Sequence, residues 1–459
     1  MNNNIIFEEQ NNEYQRLIEV YETLALSNIN QHISEKDLLK PNNLIENEKI
    51  INNFITEIRF LIQEKAFNST VDEYRSPMYH VSRSSINSTN YTYDYERTIK
   101  YQNLERLFHK SSEYLDGFTL IYRSGMSVLS SIINLIFKFY NSVNCISHIG
   151  YYESMLLLND FKKNITNVDF NVVKDERVLN AEFYFIEFVK ANFNFETIDF
   201  ESFITKIPVD SKKLIFLVFD ISFLGDSINY DEILNLLKNH NHIITIFYRS
   251  GLKLDQEGFD LINLGIASLY LSHDIEDIKE TLLDFMQSNR SYTGTSLSLM
   301  ELDILKTIIE IHNKNYAKII LENTAFFFSQ LNVSDDSFVD RIITADINYT
   351  NISQYSTPYF FIKLKSATED DYINISKLIK YELRKVGLDI GFRTSFGFRN
   401  ISFEYIKNKN VKNSEILKIV PGLMKGYTYY KMIDILNGIF TKSYDVFKMR
   451  CNEMLKDDF

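Results

Sequence analysis

Residues 213–253 read KLIFLVFDISFLGDSINYDEILNLLKNHNHIITIFYRSGLK, and this stretch decides the fold. The apolar run at 213–219 predicts a buried strand, residues 230–239 predict an amphipathic helix, and residues 243–247 predict a second strand. Two apolar strands joined by a helix are typical of a parallel β-α-β unit. The stretch therefore predicts a mostly parallel sheet with helices on both faces.

The same alternation extends upstream of this stretch. Strand, helix, strand, helix and strand patterns follow one another at 118–122, 127–140, 143–147, 153–161 and 168–173. Because strands that alternate with helices build α/β layers, we predict a large α/β domain over residues 91–290.

The two flanking regions have different patterns. Residues 13–26 and 47–65 carry apolar side chains at helical spacing, and the polar residues 68–93 predict a loop. We therefore predict a helical N-terminal arm over residues 1–90. Downstream, the pattern predicts a helix at 298–328, a strand at 359–364, a helix at 370–386, a strand at 399–403 and then a final helix. We therefore predict a smaller α+β domain over residues 291–459.

Composition narrows the class of protein. The chain has 459 residues and a formal net charge of −12, which argues against nucleic-acid binding, since that normally needs a basic surface. Two cysteines and an isolated His240-x-His242 pair predict neither a disulfide framework nor a metal site. The first residues lack the features of a signal peptide, and no run of about 18 apolar residues occurs. We therefore expect a cytoplasmic protein without a membrane span.

Ligands of open α/β sheets bind beyond the carboxyl ends of the strands, so the residues that follow each strand are candidates for a site. After the first strand, Arg123-Ser-Gly-Met-Ser127 opens a helix whose free N–H groups can hold a phosphate. Later strands lead to Asp220-Ile-Ser222 and to Ser250-Gly-Leu-Lys253. Taken singly, these elements are more typical of a tight turn, a capping residue and a surface lysine.

The order of the three elements changes that interpretation. A phosphate turn, a carboxylate at a later strand end and a lysine after the next strand meet the needs of pyridoxal phosphate. This cofactor requires a phosphate cradle, an anion beside its ring nitrogen and a lysine that forms a Schiff base. We therefore predict pyridoxal phosphate as the cofactor, with Asp220 and Lys253 in the last two roles.

Six short motifs carry a resemblance to a known enzyme family. They are Tyr95-Glu-Arg97, Leu115-Asp-Gly117 with the turn at 123–126, Tyr151-Tyr-Glu-Ser154, Asp220-Ile-Ser222, Ser250-Gly-Leu-Lys253 and Arg399-Asn-Ile-Ser-Phe-Glu404. In this order they resemble the motifs of fold-type I pyridoxal-phosphate enzymes, most closely the cysteine/methionine-metabolism branch that includes cystathionine gamma-synthase. The resemblance covers roughly residues 90–410.

The resemblance implies a role for each site residue. Lys253 would form the Schiff base, Asp220 would pair with the ring nitrogen, and Tyr151 would stack on the ring, with Tyr152 as the fallback. Arg399 would bind the substrate carboxylate. The other cofactor contacts that it implies are Gly125, Met126, Ser222, Ser250 and, from a neighbouring subunit of a homodimer or homotetramer, Tyr95 and Arg97.

Some departures from the family pattern leave the reaction open. Leu252 stands where the family has a threonine, and the distance from Asp220 to Lys253 is 33 residues (253 minus 220), which is closer to aminotransferase spacing. Arg393 is a second, less favoured carboxylate ligand. The first hypothesis is β- or γ-elimination or replacement on an amino acid. The alternatives are an aminotransferase and an inactive subunit that keeps the fold for binding or regulation.

Overall fold

The structure of the chain is a computed structural model. It describes residues 3–25, 39–73, 75–76, 82–86, 89–93, 95–173, 181–207, 213–345, 357–365, 367–390, 397–407 and 415–457. Within these ranges no helix is long and apolar enough to cross a membrane. Two sheets dominate the described chain, one with seven strands and one with four.

The seven-stranded sheet has the order β3-β9-β8-β7-β6-β4-β5. Only β9 runs antiparallel to its neighbours, so the prediction of a mostly parallel sheet is confirmed. The strands are β3 (Asp116–Tyr122), β4 (Ser142–His148), β5 (Asp169–Val173), β6 (Phe183–Glu187), β7 (Ile215–Asp220), β8 (Ile243–Ser250) and β9 (Gly265–Leu271).

Two of these strands, β6 and β9, were not predicted. Every residue of both strands is buried. A fully buried strand lacks the alternation of apolar and polar side chains, so a short apolar run does not distinguish it from a buried helix. The missed β6 matters for the site because its last residue is an acid.

Helices cover both faces of the large sheet. Helices α4 (Gly125–Phe139) and α9 (Lys279–Tyr292) pack on one face. On the other face lie α6 (Phe200–Ile204), α7 (Tyr230–Leu237) and α11 (Tyr316–Ser329). Three helices, α3 (Gln102–Phe108), α5 (Tyr152–Asn164) and α8 (Gly251–Leu254), complete this region.

The four-stranded sheet is antiparallel and has the order β10-β11-β13-β12. Its strands are β10 (Val339–Ile343), β11 (Phe360–Leu364), β12 (Ser402–Ile406) and β13 (Ile416–Val420). Its outer face packs against α12 (Glu369–Lys385), α13 (Tyr427–Phe440) and α14 (Tyr444–Asp457). The opposite face of β13, with Ile416 and Val420, joins the core under the large sheet.

The N-terminal helices α1 (Asn3–Ala25) and α2 (Leu44–Thr70) pack on the same chain, against α10 (Leu299–Ile311) and the segment around Phe259. The single helix predicted at 298–328 was wrong, because α10 and α11 are separate helices. The loop predicted at 68–93 was also wrong in part, since it contains the hairpin of β1 (Ser82–Ile86) and β2 (Thr89–Tyr93).

Candidate functional site

The predicted site lies at the carboxyl edge of the large sheet. Glu187 at the end of β6 is the register partner of Asp220 at the end of β7, and Asp220 pairs in turn with Tyr248 on β8. Lys253 is the third residue after the end of β8 and lies within α8. The topology therefore brings two carboxylates and one lysine to one edge.

The Lys253 amine is surrounded by aromatic rings. Its Nζ lies 5.0 Å from the ring centroid of Tyr151 and 5.4 Å from that of Phe223, and it forms no ion pair within the described part of the chain. Burial lowers the pKa of Lys253, and the nearby carboxylates of Asp220 and Glu187 only partly oppose this shift. A lysine with a lowered pKa has a larger neutral fraction, which is the nucleophilic form.

The Asp220 carboxylate has a fixed orientation. One oxygen accepts a hydrogen bond from the Ser222 N–H at 2.9 Å, and the other accepts one from the Tyr248 hydroxyl at 2.8 Å. Each carboxylate oxygen has two lone pairs, so these bonds leave acceptor capacity for a further donor. The side chain can therefore accept a further donor, and its pairing with a ring nitrogen stays a prediction.

Glu187 is a site residue that the sequence reasoning missed. Its carboxylate accepts hydrogen bonds from the N–H groups of Gly150 (2.9 Å), Tyr151 (3.1 Å) and Ala191 (2.6 Å). Burial raises the pKa of Glu187 to about 7, and the negative charge of Asp220 adds to the shift. The rule that selected Asp220, an acid at the end of an apolar run, would have found Glu187 if β6 had been recognised.

Tyr151 and Tyr152 differ in their access to the lysine. Tyr151 is partly buried over Lys253, and its hydroxyl donates a hydrogen bond of 2.5 Å to Glu153. Tyr152 is 62% exposed and its hydroxyl donates to the same carboxylate at 3.1 Å. The geometry thus favours Tyr151 over Tyr152 for stacking on a ring held at Lys253, and that role stays a prediction.

A set of unused donors lies beside the lysine, at the start of α4. The N–H groups of Gly125 and Met126 and the hydroxyl of Ser250 have no hydrogen-bond acceptor among the residues that the structure describes. A Cβ added to Gly125 would lie 3.3 Å from Ser250, so the helix start and the end of β8 are in close contact. The Ser250 N–H donates to the Ser222 Oγ at 2.9 Å. These donors at a helix N-terminus suit a phosphate group.

The four-stranded sheet contributes a second lysine, Lys418 on β13, which the sequence reasoning also missed. The residue is only 5% exposed, its Nζ lies 4.2 Å from the ring centroid of Tyr359, and it has no ion-pair partner among the described residues. Burial lowers the pKa of Lys418 to about 8, Glu404 opposes the shift, and the charge of Lys253 adds to it. Lys418 and Lys253 therefore interact electrostatically, and both contact one group of aromatic rings.

Tyr359 links Lys418 to the edge of the large sheet. Its ring centroid is 5.4 Å from that of Phe223, which contacts Lys253. Burial raises the pKa of Tyr359, and the negative charge of Glu187 and the hydroxyl of Tyr151 contribute to the shift. A lysine inside the apolar run of β13 was the signal that could have marked this position.

Arg399, the predicted ligand of the substrate carboxylate, is bound by groups of the chain itself. Its Nη2 donates to the Glu13 carboxylate of α1, and its Nη1 donates to the Glu257 carbonyl oxygen at 2.9 Å. The strand predicted at 399–403 begins only at Ser402, so Arg399 lies before β12. Its substrate-binding role stays a prediction, and the alternative Arg393 lies outside the described residues.

Tyr95 and Arg97 lie on the surface. Tyr95 is 51% exposed, and the Arg97 guanidinium carbon is 5.1 Å from its ring centroid. In the described chain, neither forms a hydrogen bond, ion pair or ring contact with the residues around Lys253. Their predicted contribution to a neighbouring subunit's site stays a prediction.

Comparison with solved structures agrees with this architecture. A structure of cystathionine gamma synthase from Xanthomonas oryzae pv. oryzae in complex with cystathionine is similar, with a TM-score of 0.56 and 13% identity. The match covers 86% of this chain and 99% of that one. The chain has the fold of cystathionine gamma-synthase. The predicted fold class, that of the fold-type I enzymes, is thereby confirmed.

Two further structures support the same conclusion. The Xanthomonas enzyme in complex with aminoacrylate and cysteine matches with a TM-score of 0.55, 13% identity and coverage of 86% of this chain and 99% of that one. A structure of metB from Corynebacterium glutamicum matches with a TM-score of 0.55, 12% identity and coverage of 82% and 98%. No protein-family model matches the chain, and no curated protein matches it. These likenesses establish the fold alone.

Proposed function

We propose that the chain is a pyridoxal-phosphate-dependent enzyme that acts on an amino acid by β- or γ-elimination or replacement. The observation that carries the proposal is Lys253. Its amine has a lowered pKa, no ion-pair partner among the described residues, and a position beside both Asp220 and the unused donors at the start of α4. The fold shared with cystathionine gamma-synthase supports the same conclusion.

The residues present fit the cofactor. The N–H groups of Gly125 and Met126 and the hydroxyl of Ser250 would hold the phosphate, Asp220 would receive the ring nitrogen, and the half-buried ring of Tyr151 would cover the cofactor ring. When bound, pyridoxal phosphate supplies an electron sink for negative charge at the substrate Cα. The remaining chemistry belongs to side chains of this chain.

Lys253 would move the proton. With substrate bound, the neutral amine of Lys253 would be the base for the Cα proton, because burial lowers its pKa and so increases its neutral fraction. Glu187 fixes the backbone of Tyr151 through one of its hydrogen bonds. The tyrosine ring therefore stays in place while the substrate reacts.

We propose Lys418 as the ligand of the substrate carboxylate, in preference to Arg399. The Arg399 guanidinium is already bound by Glu13, whereas Lys418 is a buried cation without an ion-pair partner in the described chain. Burying an unpaired charge is unfavourable, and an anionic ligand removes that penalty by supplying the missing partner. Lys418 contacts the ring of Tyr359, which packs on Phe223 beside Lys253, so a carboxylate bound at Lys418 would lie on the same side as the reacting amine.

Elimination or replacement is favoured because similar structures hold cystathionine, or aminoacrylate with cysteine. Transamination is the second candidate, since the spacing of 33 residues between Asp220 and Lys253 (253 minus 220) is closer to that of aminotransferases. We also propose a homodimer or homotetramer, because the exposed Tyr95 and Arg97 would act on a neighbouring subunit.

The deciding experiment is spectroscopic. Purified protein is mixed with pyridoxal phosphate, its visible absorbance is recorded, and borohydride reduction followed by peptide mapping locates the modified residue. We expect a visible band and modification of Lys253, both lost in Lys253→Ala. A protein that stays colourless would refute the proposal, and modification of another lysine would refute the site assignment.

A second assay separates the reactions. The protein is incubated with pools of amino acids, with and without a thiol or an α-keto acid. Ammonia released together with a keto acid identifies elimination, and a thioether formed only with the thiol identifies replacement. Keto acid that forms without ammonia, and only when an acceptor keto acid is present, identifies transamination.

A further inference from the structure

We propose that the N-terminal helix α1 acts as a clamp on the reactive lysine. Glu13 and Arg16 are its positioning residues, and they act through Arg399 and Glu257 on the turn that follows Lys253. The proposal rests on the proposed function, since the lysine matters only if it carries the cofactor. None of the four clamp residues contacts the reacting atoms.

The turn after the lysine helix has an unfavourable backbone. Glu257 and Asp260 have φ values of 48° and 50°, and Gly258 between them has a φ of 72°. Residues other than glycine in this left-handed region cost free energy, so the surrounding contacts must hold them there. The position of the turn therefore depends on its neighbours.

Gln256 couples this turn to the start of the lysine helix. Its fully buried side chain donates to the carbonyl oxygens of Gly251 (3.3 Å) and Ile262 (2.7 Å). The same amide accepts hydrogen bonds from the N–H groups of Leu261 and Ile262, each at 3.1 Å. Because Gly251 begins α8, a shift of the turn is transmitted to the helix that carries Lys253.

One ion pair joins α1 to the turn directly, and a second joins α1 to Arg399, which binds the turn. The side-chain carboxylate of Glu257, only 1% exposed, accepts a hydrogen bond from Arg16. The backbone carbonyl oxygen of Glu257 accepts a hydrogen bond from Arg399 at 2.9 Å. Arg399 donates in turn to Glu13. A Cβ added to Gly258 would overlap the Cβ of Arg399, so the arginine packs directly on the turn. Helix α1 thus provides Arg16 for the Glu257 carboxylate and Glu13 for the arginine that binds the Glu257 carbonyl oxygen.

Apolar contacts hold α1 in this position. Tyr14, Leu17 and Tyr21 belong to the same buried cluster as Phe259, which lies within the turn. If one charge of the clamp is removed, its partner loses its shortest ion pair, while the longer contact of 3.9 Å between Arg399 and the Glu257 carboxylate remains. The charges around the turn are then unbalanced, and the local structure must rearrange. That rearrangement would begin at the turn and reach Lys253 through Gln256.

The test uses Glu13→Gln and Arg16→Gln in the full chain. The matched control is Glu46→Gln in the same arm, which removes the charge of an exposed pair with Lys49 (3.2 Å). We expect both clamp variants to raise the Kd for pyridoxal phosphate at least tenfold and to shift the pH midpoint of the visible band. The control should stay within twofold of the unmodified protein on both measurements.

Hydrogen exchange of residues 251–264 in cofactor-free protein gives an independent measurement. We expect exchange in this segment to be at least tenfold faster in the clamp variants and unchanged in the control. A purely structural role would lower Tm while leaving the Kd of the folded protein and the pH midpoint of its band unchanged. Glu13→Asp keeps the charge, so it covers the case in which Glu13→Gln does not fold, and it should give an intermediate Kd.

A double variant, Glu13→Gln with Arg399→Gln, tests the contact itself. If Glu13 acts through Arg399, the double variant binds the cofactor no more weakly than the poorer single variant. Unchanged Kd and unchanged exchange in Glu13→Gln would overturn the clamp. If the unmodified protein takes up no cofactor, the proposed function fails instead, and the exchange measurement still decides whether α1 holds the lysine turn.

Discussion

Two buried cations near the four-stranded sheet have opposite surroundings. Arg399 binds the Glu13 carboxylate and the Glu257 carbonyl oxygen, whereas Lys418 faces the ring of Tyr359 and has no ion-pair partner among the described residues. A paired buried charge maintains the structure, and an unpaired one can be neutralised by a ligand. The comparison teaches that a motif can identify a cation without indicating whether its charge is available.

The largest expected effect is that of replacing Lys253. Arg399 or Lys418 can bind a substrate at this site only if Lys253 is the reactive residue. Lys253→Ala removes the proposed nucleophile and the proposed base for the Cα proton, so we expect kcat to fall about a thousandfold or more. The measurement is steady-state turnover of the substrate identified by the amino-acid assay. Turnover within tenfold of the unmodified protein would mean that neither Arg399 nor Lys418 serves a reaction at this site.

Stability separates the two cations next. Arg399→Met removes one of the two cations that bind Glu13 and leaves Arg16 at 3.4 Å, so we expect the free energy of unfolding to fall by about 1.5–3 kcal/mol. Lys418→Met removes an unpaired buried charge, so its free energy of unfolding should stay the same or rise by about 1 kcal/mol. Urea unfolding of the cofactor-free proteins measures both values. Equal losses in the two variants would abolish the contrast.

In substrate binding, we expect the Lys418 variant to be the more impaired of the two. A hydrogen bond between two charged groups contributes about 1.5–3 kcal/mol, so Lys418→Met should lower kcat/KM by roughly 10- to 100-fold, mainly through KM. The same measurement on folded, cofactor-saturated Arg399→Met should show an unchanged KM. If KM rises only in Arg399→Met, the carboxylate is bound by the arginine, as the motif predicted.

The pH dependence gives the smallest and sharpest test. The pKa of Lys418 is lowered from 10.5 to about 8, so the lysine is charged below pH 8 and loses its charge above it. KM should therefore rise by about fivefold between pH 8 and pH 9, as the charged fraction falls. The arginine of Lys418→Arg keeps its charge throughout this range, and all other titrating groups are the same as in the unmodified protein. The KM of this variant should therefore lack the rise. Parallel pH profiles would exclude Lys418 as the ligand.

Much of the large sheet could be predicted from the sequence. The strands that lead to Asp220 and Lys253 are long apolar runs separated by a clear amphipathic helix, and parallel strands expose their carboxyl ends at one edge. The pairing of Asp220 with Glu187 could not be predicted, because β6 is fully buried and lacks alternation.

The candidate site residues near the four-stranded sheet were harder to predict. The strand that carries Lys418 was missed, so this lysine was not considered as a ligand. The partner of Arg399 lies 386 residues away, on α1, and no local pattern encodes such a contact. Local reasoning therefore located the candidate residues at the edge of the large sheet and missed Lys418 on the small sheet. The domain boundaries at residues 90 and 290 stay predictions.

The contact between Glu13 and Arg399 also has a consequence for protein synthesis. A ribosome adds about 5–20 residues per second, so the 386 residues between the partners take roughly 20 to 80 s to translate. For most of that time the Phe259 segment, on which the apolar face of α1 packs, has not been synthesised. Arg399, the partner of Glu13, is absent for all of it. We therefore expect the nascent chain to complete its lysine turn only near the end of translation, when loop closure over nearly the whole chain becomes possible.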